Sequence, residues 1–108
     1  MTKQELPMSH QVVIEMMQAI HFGRIEGMII ADGRPDFYQP YRTVHSVKLT
    51  GEGNPPPKRP DGDFVLREAH VALSELMKGL PDGARLTIDI RHGLPFMAEA
   101  EIEQRHVA

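Results

Sequence analysis

The chain has 108 residues, 41% of them apolar and 25% charged, the balance of a single soluble globular domain large enough for one core. A formal charge of −3 gives no whole-protein attraction to nucleic acid or to an anionic membrane, and the absence of cysteine excludes disulfides and thiolate chemistry. No stretch approaches the roughly 18 apolar residues of a membrane span, and Met1–Pro7 lacks a basic patch followed by an apolar run, so the expectation is one cytoplasmic domain over 1–108.

In chain order, Ser9 is the expected cap of a first helix. Val13, Met16, Met17 and Ile20 follow it at i, i+3, i+4 and i+7, on one helical face. Gly23 stands where that helix needs a left-handed stop. Ile25–Ala31 is apolar at both alternating sets of positions except Glu26 and Gly27, which predicts a strand covered in the middle of a sheet. Asp32-Gly33 then predicts a two-residue hairpin turn, because both central positions of a type I′ turn need positive φ. Tyr41–Leu49 alternates and adds a further strand, whereas 51–63, with three successive prolines and nothing apolar to bury, predicts an exposed loop.

A second helix is expected from a cap at Asp61 or Asp63, with Leu66, Ala69, Leu73, Leu76, Met77 and Leu80 as its apolar stripe, ended by Pro81-Asp82-Gly83. Leu86, Ile88 and Ile90 alternate with Arg85, Thr87, Asp89 and Arg91 as a half-buried strand. After a turn at His92-Gly93, Phe96, Ala98, Ala100 and Ile102 should pack while Met97, Glu99, Glu101 and Glu103 face water. The last residues, 104–108, should fray.

Residues 10–37 laid over 70–97 give seven identities at a spacing of 60, namely His10/His70, Glu15/Glu75, Met17/Met77, Gly23/Gly83, Ile30/Ile90, Gly33/Gly93 and Pro35/Pro95. The matches punctuate one helix, strand, turn, strand motif. A helix and one hairpin cannot bury enough surface alone, and two placed side by side can. The prediction is therefore a two-layer α+β domain: two tandem αββ repeats form one mostly antiparallel sheet of four or five strands, with two helices on one face. Pro35 and Pro95 cannot donate to a ladder, so the strands they open belong at sheet edges.

The segment from Ile20 to Phe37, an aromatic-Gly-x-Ile-Glu step followed by an apolar strand and an Asp-Gly turn, resembles the short bacterial YezD-like proteins. The likeness covers about a quarter of the chain and departs from the family at Pro35 and in the second copy. It implies a shared fold and transfers no catalytic residue.

Six histidines raise the question of a metal, but His10 and His70 have no ligand at i+3 or i+4 and sit at helix starts, where polar residues are ordinary. His92 reads as a turn residue tolerating left-handed geometry. Ser9, Ser46 and Ser74 lack a nucleophile's context, Glu99, Glu101 and Glu103 read as a charged strand face that protects an edge, and Gly51-Glu-Gly lacks a phosphate-binding lysine and helix. The expectation is no enzyme, no metal and no cofactor.

Two binding readings remain beside a third, a ligand site in the groove between the two helices near the repeat axis. In the first, the protein is a protein-interaction module presenting a sheet edge or outer sheet face to a partner, a second copy of itself included. Two proline-marked edges and seven adaptable methionines motivate it. In the second, it is a nucleic-acid accessory protein. Its central stretch 40–60 sets Arg42, Lys48, Lys58 and Arg59 against one carboxylate, Glu52, with Tyr41, Phe37 and Tyr38 near enough to stack a base. Pro57-Lys-Arg-Pro60 has the minimal spacing of a polyproline ligand without its flanking cation, and reads as a spacer.

Overall fold

The computed structural model describes residues 2–47, 49 and 67–104. A 3₁₀ turn (Lys3–Glu5) leads into α1 (Met8–Ile20), followed by β1 (Gly23–Ala31), β2 (Arg34–Pro35), β3 (Arg42–His45), α2 (Glu68–Gly79), β4 (Arg85–Arg91) and β5 (Leu94–Glu101). Lys48, the expected loop 51–63, the caps Asp61 and Asp63, Leu66 and 105–108 lie outside the described residues.

All strand pairs are antiparallel. β1 and β4 lie at the centre, β5 flanks β4, and the far side of β1 is shared by two short strands, β3 along Gly23–Glu26 and β2 along Ile30–Ala31. Both helices contribute to one core with the inward residues of β1 and β4. Val13, Ile14, Met17, Leu73 and Met77 pack with Ile25, Met28, Ile30, Leu86, Ile88 and Ile90. This is the expected two-layer α+β architecture, with Pro35 and Pro95 both on outer strands.

The apolar run of β1 is not apolar because both faces are covered. Between Ile25 and Met28 the strand carries one residue more than β4 opposite, and the bulge centres on Gly27, whose φ is 70° and whose N–H donates to Thr87 Oγ1 at 3.3 Å. The extra residue restores phase, so Ile25, Met28 and Ile30 all point to the core while Ile29 is half-exposed on the outer face.

The first helix stops at His21 rather than Gly23. His21 has φ 67° and ψ −57°, and the Phe22 N–H reaches the Ile20 carbonyl at 2.8 Å, a γ-turn that reverses the chain in three residues. Gly23 is needed for another reason. Its φ is 150°, and a Cβ there would run into the Val44 carbonyl where β3 pairs with β1. The caps differ too, with Pro7 and not Ser9 preceding α1, and Arg67 preceding α2. Proline at this position supplies no side-chain cap; its fixed φ suits the entry to a helix.

Both expected hairpin turns are left-handed at both positions, Asp32 and Gly33 at φ 54° and 70°, His92 and Gly93 at 54° and 74°. Each turn lies against the helix of the other half. A Cβ on Gly33 would stand 3.2 Å from the Lys78 backbone in α2, and one on Gly93 would stand 3.4 Å from Gln18 in α1.

β5 departs from its expected pattern. The register slips between Asp89 and Ile90, making Phe96 an extra residue, and the strand lies at an edge where α2 covers only part of it. Ala98 packs on the core while Phe96 and Ile102, expected inside, are 57% and 41% exposed. β3 is also shorter than the alternation over Tyr41–Leu49 implied, and Val47 and Leu49 are exposed.

Replacing Gly23 by Ala is expected to lower the free energy of unfolding by about 2 kcal/mol or more, since backbone conformation and the β3 contact are both violated. Gly27→Ala meets no atom within 4 Å and should cost only the left-handed penalty of about 1 kcal/mol. Urea unfolding of the two variants measures the difference, and equal losses would contradict the contact with β3.

Candidate functional site

The residue pair most like catalytic machinery is one that spacing did not reveal. His10 on α1 and Ser74 on α2 meet across the helix layer with His10 Nδ1 2.7 Å from Ser74 Oγ, while His10 Nε2 lies 2.9 Å from the Gly33 carbonyl. A carbonyl oxygen can only accept, so Nε2 carries the proton and donates; Nδ1 is then the acceptor for the Ser74 hydroxyl. Both side chains are sealed, His10 at 0% and Ser74 at 2% exposure, and no substrate reaches them. The arrangement ties α1, α2 and the β1–β2 turn together, which makes it a clamp. It also explains why the buried face of α2 runs through His70, Leu73, Ser74 and Met77, leaving Leu76, expected in the core, 37% exposed.

His10 is held below the usual histidine pKa, chiefly by burial and against the pull of the Gly33 carbonyl, with Lys78 and Arg34 adding to the depression. His70 is also buried, and its Nδ1 accepts the Arg67 N–H at 3.3 Å at the start of α2. Its pKa is lowered by burial first and by the Arg67 charge second. Neither histidine is the ordinary polar residue of an exposed helix start. Among the described residues no group of three or more His, Asp or Glu side chains is placed to hold a metal ion.

The basic central segment is only partly described. Arg42 is exposed on β3 opposite Glu26, the carboxylate that also receives the Arg24 guanidinium at 3.2 Å. Tyr41 is half-buried, packs on the core edge, and meets Phe37 at 5.9 Å between ring centroids, so neither ring is splayed out as a stacking platform. Tyr38 is fully exposed. Lys48, Lys58 and Arg59 lie outside the described residues. The structure therefore brings Arg42 and Tyr41 to one region without joining them into a surface.

A cleft of 340 Å³ opens at the end of the sheet beside Phe22, Arg24, Asp89 and Arg91. Here His21, Phe22 and His92 stack edge to face, and the Arg91 guanidinium lies 4.0 Å from the centroid of Phe96. Its cations already face Glu26 and Asp89, so the local charge is close to balanced.

An incompletely covered surface is the flank formed by β5 and α2. β5 pairs with β4 on one side and with no described strand on the other. A shallow groove of 340 Å³ runs between the two elements, lined by Ala69, Ala72 and Leu76 from α2 and by Phe96, Met97 and Ala98 from β5. Phe96 and Met97 are more than half exposed, and Ile102 extends the apolar strip. Pro95 marked β5 as an edge strand in the sequence, but alternation did not show that Phe96 and Ile102 would be exposed there, because the register slip at Phe96 depends on pairing.

Two tests probe the clamp. Ser74→Ala leaves the buried Nδ1 of His10 without its donor and should cost about 2 kcal/mol of stability with helix content unchanged by circular dichroism. Since His10 and His70 have folded pKa values below 6.5, the unfolded chain binds more protons between the folded values and 6.5. Their contribution is complete above pH 6.5 and is lost as pH falls through that window. Urea midpoints should be level between about pH 7 and 8 and decline below 6.5, and a His10→Gln variant should show a shallower decline. Among the described residues no helix is long and apolar enough to cross a membrane. A scan against protein-family models, a search of curated proteins and a search of solved structures each gave no match to this chain.

Proposed function

We propose that the protein is a small, non-enzymatic cytoplasmic module that works by protein–protein interaction through the β5 edge and the adjoining apolar side of α2. The observation that carries this reading is the coincidence, on one flank, of an eight-residue strand whose outer edge no described strand covers and the exposed side chains of Leu76, Phe96, Met97 and Ile102. Strand addition takes its affinity from main-chain hydrogen bonds and its selectivity from side-chain pockets beside the edge, and this flank offers both. The opposite edge is poorer ground. It is divided between a two-residue and a four-residue strand, and Pro35 removes a donor.

We also read residues 10–37 and 70–97 as two copies of one αββ unit. Supporting this, Gly33 lies against Lys78 and Gly93 against Gln18, contacts that exchange under the same 60-residue offset, while Gly27 and Thr87, 60 apart, meet at the centre of the β1–β4 ladder. Two units joined through β1 and β4 use those edges internally, which leaves the outer strands for partners.

The test compares the wild-type chain with Ala98→Pro on β5 and Arg42→Glu on β3 as baits in extract, alongside anisotropy titrations into labelled DNA and RNA at about 50 and 200 mM salt. Edge recognition expects a bound protein that is lost with Ala98→Pro and kept with Arg42→Glu, and no salt-sensitive nucleic-acid binding. Micromolar nucleic-acid binding that collapses at the higher salt and disappears with Arg42→Glu would instead establish the basic segment as the working surface.

A further inference from the structure

The alternation of the sheet determines what β5 can pair with. The Ile30 N–H bonds the Ala84 carbonyl at 2.8 Å, so even-numbered positions of β4 direct their backbone groups to β1 and odd-numbered ones to β5. Opposite the odd positions Asp89, Thr87 and Arg85 stand Met97, Glu99 and Glu101. These three therefore bond β4, and Ala98 and Ala100 present their N–H and C=O groups to the open edge. Upstream, the Phe96 bulge and Pro95 break the regular edge.

A second β5 laid antiparallel on this edge must match edge-facing residues with edge-facing residues, and three two-fold registers place the axis on the regular stretch from Ala98 to Ala100. With the axis at Ala100, Glu99 of each copy lies opposite Glu101 of the other. With the axis at Glu99, the two Glu99 side chains lie opposite each other at the closer, non-hydrogen-bonded spacing. Both place like charges in direct cross-strand contact, which is destabilising. With the axis at Ala98, the two Ala98 residues exchange hydrogen bonds and each Glu99 faces Met97 of the other copy. In that register Glu101 points along the outer face toward the Leu94 end of the other copy, where Arg91 of β4 pairs with Leu94 and lies over Phe96, so the acidic end of one β5 approaches an arginine of its mate. The exposed Ala72 and Leu76 of α2 flank the same edge, and alanine permits close approach of two helices.

Resting on the reading of β5 as an interaction edge, we propose that the occupant of this flank is a second copy of the chain, paired through β5 about a two-fold axis at Ala98. The pairing joins two sheets into one and covers Phe96, Met97 and Leu76 from both copies. Charge selects the register and the apolar groove supplies the buried area.

Sedimentation velocity of the full chain over a dilution range of about a hundredfold measures the association. A reversible dimer is expected. Met97→Glu sets a carboxylate against Glu99 of the other copy at two symmetry-related places and should weaken dimerisation about tenfold. Adding Glu99→Lys to Met97→Glu turns those contacts into opposite-charge pairs and should restore the affinity to within about threefold of wild type. Leu76→Lys, on a side chain remote from the β4 ladder, should weaken the dimer without altering the fold, as thermal unfolding by circular dichroism checks. A monomeric wild-type chain throughout, indifference to both Met97→Glu and Leu76→Lys, or failure of Glu99→Lys to rescue Met97→Glu would overturn the proposal. A monomer that still captures a protein partner in an Ala98→Pro-sensitive way removes self-pairing and leaves the edge reading standing. A monomer with no such capture removes both.

Discussion

The hydrogen bond from Gly27 to Thr87 marks the contact on which the fold depends, the antiparallel pairing of β1 with β4. These strands come from opposite halves of the chain, and either hairpin by itself is marginal in water until they join. The bulge at Gly27 sets the phase of that joint. Paired regularly, with Gly27 held in the ladder instead of bulged, β1 would turn Met28 and Ile30 to the outer face and the core would lose two of its largest fully buried side chains. Gly27 is left-handed with open space around it, so its role is conformational, whereas Gly23 a few residues earlier serves the close approach of β3.

The helix layer is fastened by a polar contact and not by apolar packing alone. His10 reaches from α1 to Ser74 on α2 and to the turn that starts β2, so one neutral imidazole connects three elements inside a closed core. Burial disfavours its protonated form, and the same burial removes it from chemistry. Nucleophile–base geometry without access is a structural device.

Much of the architecture was legible in the sequence. The amphipathic stripe of α1, the alternation of β4 and the two left-handed turns each rest on local chemistry, and they appear where local chemistry puts them. What was not legible depends on pairing. Nothing in Glu26-Gly27 says that the strand bulges there, and a run apolar at every position reads equally as cover on two faces. Nothing in Ser74 says that it meets a histidine 64 residues away, so the buried face of α2 was drawn through Leu76 when it passes through Ser74. The γ-turn at His21 was hidden because glycine two residues later is the commoner stop. For the candidate flank, Pro95 placed β5 at an edge, but the exposure of Phe96 and Ile102 was not visible, since it follows from the register slip at Phe96 and from how far α2 reaches over the strand.

The divided edge formed by β2 and β3 has a consequence for assembly. A sheet with two equally receptive edges can add copies head to tail without limit, which is the route to fibres. Here one border is broken into two short pieces and carries a proline, so a copy attached along β5 would turn that blunt border outward. Growth would end after a single addition, and the molecule would keep a sticky side without becoming a polymer.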